Sequence, residues 1–292
     1  MTRQAGFRMR IGIGLPTVLP SVPGSAVLEW ARRAEKRGYS TLGVIDRVAY
    51  HTYSPLVALA AAAGATGSIG LMTDVLLGPT RNPVLLAKEA ASLAQLSGGR
   101  LTLGLGVGAR PEDYAVVGRN FRTRGRDWDR ALEVMDAVWR DEAPEGALRP
   151  AAPIVDGHGR PRILIGGSSE ASIRRTVRWG DGWTASSTAG ASLGSLVQRI
   201  REAWRDAGRE GAPRISVLTY FAVGDDPRAA EFLVDYYGPE RGPALAESLP
   251  TTPDELWAMV HRLEDVGADE IVTFPTLSGI DQVDRLADIL LR

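Results

Sequence analysis

Short apolar runs of four to ten residues alternate with amphipathic helical stretches along the whole chain. That alternation restricts the fold more than any other feature. Parallel strands need long crossovers, and helices supply them, so such a pattern predicts a parallel sheet. The runs are 10–15, 41–45, 69–77, 101–107, 162–165, 182–185, 214–223 and 270–274. The helices between them carry their own start and stop signals. Ser25 reads as the cap of a helix running to Arg37, with Gly38 as its stop. Ser54-Pro55 and Asn82-Pro83 each place a capping residue before a first-turn proline. Thr252-Pro253-Asp254-Glu255 reads as a capping box. Between Asp127 and Arg140, the residues Trp128, Ala131, Leu132, Met135 and Trp139 share one helical face.

Eight such units in 292 residues predict a single α/β domain over 1–292, a closed (β/α)8 TIM barrel. An open, doubly wound sheet is the structural alternative. Segments 108–161 and 224–252 are too long for simple connections and read as insertions after strands four and seven. A barrel carries its chemistry at the C-terminal ends of its strands, so the residues just beyond each run are the candidates.

Composition removes several functions. With 34 Lys+Arg against 35 Asp+Glu, no positive field exists to gather nucleic acid. Cysteine is absent, which excludes thiolate catalysis, disulfides and cysteine-based metal sites. No apolar run approaches the ~20 residues of a membrane span, and Met1–Arg10 lacks the apolar core of a signal peptide, so a cytoplasmic location is expected.

The strongest chemical signal follows strand five, where Gly166-Gly167-Ser168-Ser169 leads straight into a helix. Exposed amides, a positive dipole end and two hydroxyls suit a phosphate. A serine-capped helix without a ligand explains the same residues equally well. Gly104-Leu-Gly-Val-Gly108 is a second turn where backbone and ligand could approach closely. Asp46-Arg47, Thr73-Asp74, Arg110, Glu112 and Asp181-Gly182-Trp183 add polar groups assigned to the mouth; each alone reads as an ordinary ion pair or loop residue. Of three histidines, His51 is the one placed for acid–base work. His158 lies in a Gly-rich loop and His261 on an outer helix, and histidines so scattered make no metal site.

Several blocks resemble the bacterial luciferase-like flavin-dependent oxidoreductases. They include Arg10-Ile-Gly-Ile-Gly-Leu-Pro16, Val44-Ile-Asp-Arg47, Tyr53-Ser-Pro-Leu56 and Arg81-Asn-Pro-Val-Leu-Leu-Ala-Lys88. Leu96-Ser-Gly-Gly-Arg through Gly108, Ile163 through Ser169, and Gly180-Asp-Gly-Trp183 follow in the family's order. The resemblance implies a barrel that binds a flavin, or the related deazaflavin, at the mouth. The cofactor phosphate would sit on Gly167, Ser168 and Ser169. The ring would lie against a bulge at Thr73, Asp74 and Val75, with a cis peptide at Asp74–Val75. Val107, Gly108 and Arg110 would line its other side, with Asp46, Gly166 and Trp183 completing the cofactor set.

One departure stands out. Many deazaflavin-dependent relatives carry Asp-His after strand two, and this chain has Asp46-Arg47. Either Arg47 holds an anionic substrate or oxyanion, or His51 takes over the catalytic role. The implied reaction is a two-component monooxygenation. Reduced FMN from a separate flavin reductase, with dioxygen, would act on a small organic substrate. The alternatives are hydride transfer with the deazaflavin coenzyme F-420 and a non-catalytic flavin-binding protein. Small residues at Gly106, Gly108, Ala109 and Ser187 argue for open substrate space and hence for an enzyme. The 224–252 insertion is expected to act as a lid, and the protein to form a homodimer.

Overall fold

A computed structural model of the protein describes residues 9–153 and 159–291. The eight apolar runs become strands β1 (Arg10–Gly14), β2 (Thr41–Val44), β3 (Gly70–Leu77), β4 (Leu101–Gly106), β5 (Arg162–Gly166), β6 (Gly182–Ser186), β7 (Arg214–Phe221) and β8 (Glu270–Pro275). Every strand pairs in parallel with the next, and β8 pairs with β1, which closes the barrel. Closure decides against the open sheet. Among the described residues no helix is long and apolar enough to cross a membrane.

Eleven described helices surround or cap the strands. They are α1 (Gly24–Arg37), α2 (Pro55–Ala65), α3 (Pro83–Leu96), α4 (Pro111–Ala115), α5 (Arg124–Trp139), α6 (Glu170–Trp179), α7 (Leu193–Asp206), α8 (Arg228–Tyr237), α9 (Gly242–Glu247), α10 (Pro253–Asp265) and α11 (Asp281–Leu290). Their starts follow local chemistry. The Asn82 side chain accepts from the amides of Val84 and Leu85, and Thr252 with Glu255 forms the full capping box. Ser54 takes its cap position without a side-chain bond. Ser25 does not cap α1: the helix begins one residue earlier, behind the extended Pro23. Proline fixes the φ of the entry and leaves Ser25 inside the first turn. Gly38 ends the helix in the left-handed region, as expected.

Among the described residues, both insertions contain helices. The segment after β4 holds α4 and then α5, which starts at Arg124, three residues before the expected Asp127. The segment after β7 holds α8 and α9. His158, assigned to a loop, lies outside the described residues.

Two carboxylates fasten the barrel's N-terminal end. Glu270 is fully buried and accepts from Ser40, Thr41 and Arg214, drawing the starts of β2, β7 and β8 together. Glu35, on α1, receives the amides of Gly67, Ser68 and Ile69 just before β3. Burial works to raise its pKa, but these amides and the Ser68 hydroxyl outweigh burial and hold it at about 2. A carboxylate depressed from 4.5 to about 2 stabilises the fold at neutral pH, and that contribution fades as pH falls through this window. Solvent screens this largely exposed group, so Glu35→Gln is expected to cost about 1 kcal/mol in urea denaturation at pH 7. The difference from wild type should shrink steadily below pH 4.5.

Candidate active site

The mouth is organised by an interruption in one strand. β3 pairs regularly with β4 as far as Thr73–Leu103, then shifts register before Leu76–Leu105. The shifted segment contains Asp74 and Val75, joined by a cis peptide bond, as the resemblance implied. Thr73 secures the bulge from within the wall, its hydroxyl donating to the Gly104 carbonyl at 2.8 Å. Val75 turns toward the neighbouring strands and needs their space. A Cβ at Gly106 would lie 2.7 Å from Val75 Cγ2, and one at Gly166 would lie 2.9 Å from Val75 Cγ1.

This corrects the reading of Gly104-Leu-Gly-Val-Gly108 as a ligand turn. A Cβ at Gly104 would meet the Thr73 carbonyl oxygen at 2.0 Å, and one at Gly108 would meet Leu77 at 2.8 Å. The close approach these glycines permit is to the side chains and backbone of β3. Gly106 and Gly108 therefore do not open substrate space, whereas Ser187, bonded to Thr219 at 3.1 Å, does line a cavity of about 760 Å3 together with Leu193 and Met259.

Open space also lies beside the bulge. A cleft of about 210 Å3 is lined by Asp74, Val75, Gly166, Thr184, Tyr220 and Tyr237, with Asp46 and Gly167 also on its walls. Typical ligand sites measure roughly 300–1,000 Å3, so this cleft takes part of a ligand and leaves the rest outside. Gly167 carries the cleft directly into the turn before α6. It has a φ of +115°, a conformation suited to glycine. Gly167, Ser168 and Ser169 are exposed, and the Ser169 hydroxyl caps α6 by accepting from the Ser172 amide. Cap and exposed amides coexist here. Trp183 stands behind the turn, fully buried, and its indole donates to the Gly167 carbonyl at 2.8 Å. It positions the turn and does not line the cleft.

The two acids of the cleft differ. Asp46 accepts from the Leu77 amide at 2.9 Å and from Arg81 at 2.7 Å. Burial raises its pKa, while Arg81 and the amide oppose the rise. Asp74 accepts one bond, from the Thr184 hydroxyl at 2.7 Å, and its Oδ2 is buried without a partner. Burial pushes its carboxyl up to about 7 against the Thr184 bond, with Glu270 adding to the rise.

The insertion after β7 closes one side. Tyr237 of α8 bonds to Tyr220 of β7 at 2.8 Å. The Tyr236 ring lies 5.7 Å from the Arg47 guanidinium and 5.1 Å from that of Arg110, and Arg110 also donates to the Tyr236 carbonyl. Arg110 thus anchors α8. Val107 is half-buried and its carbonyl accepts from Tyr114.

The two residues expected to be catalytic lie apart from the cleft lining. Arg47 donates to Asp113 at 2.9 Å and to Glu112 at 3.2 Å, while its Nη1 is buried and unpaired. His51 is exposed, with its ring stacked on Tyr50 at 4.5 Å. His261 is exposed on α10 beside Trp257. Asp181, assigned to the mouth, sits at the opposite end of the barrel, where it accepts from the Ile163 amide and Arg160. It precedes β6, and a residue before a parallel strand belongs to the N-terminal face.

The bulge makes a specific prediction. Gly106→Ala is expected to destabilise the fold by about 1–3 kcal/mol through collision with Val75. Adding Val75→Ala should recover most of that loss in a double-mutant cycle followed by chemical denaturation. Equal losses with and without Val75 would refute the packing account.

Comparison with known proteins places this geometry. An uncharacterised protein of Mycobacterium tuberculosis is 30% identical over 223 residues, covering 65% of this chain and 75% of its own. An F-420-dependent hydroxymycolic acid dehydrogenase of the same species is 27% identical over 296 residues, covering 87% and 80%. The fold superposes on an F-420-dependent secondary alcohol dehydrogenase with a TM-score of 0.78, at 18% identity and over 97% and 98% of the two chains. A monooxygenase from Streptomyces bottropensis gives 0.77, at 20% identity and over 97% and 99%. The family model for luciferase-like monooxygenases matches residues 9–271, and with a closed barrel and a bulged β3 this chain belongs to that family of oxidoreductases.

Proposed function

We propose that the protein is a two-component monooxygenase in which reduced FMN, delivered by a separate flavin reductase, and dioxygen oxidise a small organic substrate. One observation carries this reading: the cleft beside Val75 reaches Gly166 and Gly167, and Gly167 opens the exposed turn that leads into α6. A planar ring fits the first part and a phosphate fits the second.

The residues match such a cofactor. Val75, Leu218, Tyr220 and Tyr237 offer apolar and aromatic surface to a ring. The unpaired Asp74 Oδ2 offers one polar contact. The amides at Gly167, Ser168 and Ser169 would hold the phosphate. When bound, reduced FMN supplies two electrons, so that one oxygen atom enters the substrate and the other leaves as water. The protein's own part is to position the ring, to keep water away with the aromatic wall from α8, and to admit the substrate. No proton relay of the Asp-His type is needed. Arg47 cannot serve as one, because a guanidinium does not deprotonate and this one is held by Asp113 and Glu112.

A second reading, hydride transfer with coenzyme F-420, is favoured by the names of the hydroxymycolic acid and secondary alcohol dehydrogenases. Anaerobic titration of the apoprotein with reduced FMN and with reduced F-420, read by fluorescence, separates the two. The expected result is at least about tenfold tighter binding of FMN. Oxygen-dependent product formation should follow on admitting air with substrate. Tighter binding of F-420 without oxygen-dependent turnover would replace the first reading by the second. Ser168→Asp should weaken either cofactor by about tenfold or more, since it places a negative charge at the phosphate position. Unchanged affinity would remove the phosphate assignment.

A further inference from the structure

The monooxygenase reading leaves the proton on one acid of the cleft unaccounted for. The Asp74 side chain is 4% exposed, yet it lines the cleft, and its Oδ2 lacks any hydrogen-bond partner. Buried polar atoms are ordinarily paired, so an unpaired one on a cavity wall marks the place of a ligand atom. The groups around it settle its charge. From the segment just beyond β2 comes Asp46, already tied to Arg81. From β6 comes the Thr184 hydroxyl, which donates to Oδ1. From β7 and α8 come Tyr220 and Tyr237, bonded to each other. From the start of β8, Glu270 acts on it, and that carboxylate is paired with Arg214. Arg47 is turned to Asp113 and Glu112, and Arg110 to Tyr236. Among the described residues no cation pairs with Asp74. A buried carboxyl without a counter-ion, near other acids, keeps its proton.

We propose that Asp74 binds the cofactor ring as a neutral acid, its Oδ2–H donating to an acceptor atom of the ring, and that cofactor affinity depends on this proton. The inference rests on the reading that the cleft takes the ring of a flavin-type cofactor. Such rings carry carbonyl oxygens and ring nitrogens at their edges, and these accept hydrogen bonds. No covalent bond is made or broken. Ionised Asp74 has no hydrogen to donate and would set a negative charge against the acceptor. Binding is thereby linked to protonation, with the sign that affinity is full at low pH and falls as pH rises. In the free protein, burial pushes this carboxyl up to about 7.

Equilibrium titration of the full chain with oxidised FMN, and separately with oxidised F-420, tests this without turnover. Fluorescence quenching gives affinity between about pH 5.5 and 9.5. Wild type is expected to hold constant affinity at the acid end and to lose about tenfold per pH unit beyond the titration of Asp74. Asp74→Asn keeps a donor and has no proton to lose. Its profile should lack the alkaline fall, and subtracting it removes any titration of the cofactor itself. Thr184→Val removes a bond that favours the ionised form, so the fall should begin at higher pH. Infrared difference spectra should show a protonated carboxyl band in wild type that is missing from Asp74→Asn.

A flat wild-type profile would overturn the inference, as would an Asp74→Asn profile parallel to wild type. Should wild type bind neither cofactor at any pH, the cofactor reading itself fails and this inference with it. Binding that is tight and independent of pH would sink only the role of Asp74.

Discussion

The mouth of this barrel depends on where one side chain is stored. Once β3 leaves its regular pairing after Thr73, Val75 must be housed between β4 and β5, and both strands give up a side chain to do so. Gly166 is one of the two residues that make room, and it is also the residue before Gly167. The wall of the cleft and the turn of α6 are thus built from consecutive residues and cannot be adjusted separately. Trp183 adds rigidity from behind by holding the Gly167 carbonyl. What looks like a glycine-rich surface loop is a packing solution that also shapes one wall of the cleft.

The opposite end of the barrel obeys a different logic. Glu270 is buried and satisfied by Ser40, Thr41 and Arg214, so its charge is compensated. Asp74 is buried and has a single neutral partner. Both are acids inside one barrel. One is furnished with a counter-charge and serves the fold; the other has none and faces the cleft. That division matches the general placement of stability at the N-terminal face and chemistry at the C-terminal face.

Much of the fold was legible because it rests on local rules. Apolar runs, prolines in first turns, and the Asn82 and Thr252 caps declare themselves within a few residues. The Gly-Gly-Ser-Ser turn was legible for the same reason. Gly104, Gly106 and Gly108 were misread because a glycine announces a close approach without saying what approaches. Asp181 was misplaced because it was read by proximity to a strand and not by which end of that strand it precedes. The environment of Arg47 was illegible, since its partner Asp113 lies 66 positions away on α4. Tyr237 gave no signal at all. It stands in an insertion, and only the packing of α8 brings it to Tyr220. A similar limit applies to His51: its position after β2 suggested the mouth, but Tyr50 holds its ring at the surface.

The aromatic wall comes from α8, and α8 belongs to an insertion, whereas Val75, Gly166 and the α6 turn belong to the barrel frame. Two walls of one cleft are therefore written in different parts of the sequence. Replacing the stretch between β7 and α10 would exchange one wall of the reaction chamber while leaving the bulge and the turn untouched. A scaffold divided in this way can change one wall of its cleft by recombination at two loop junctions and keep its frame.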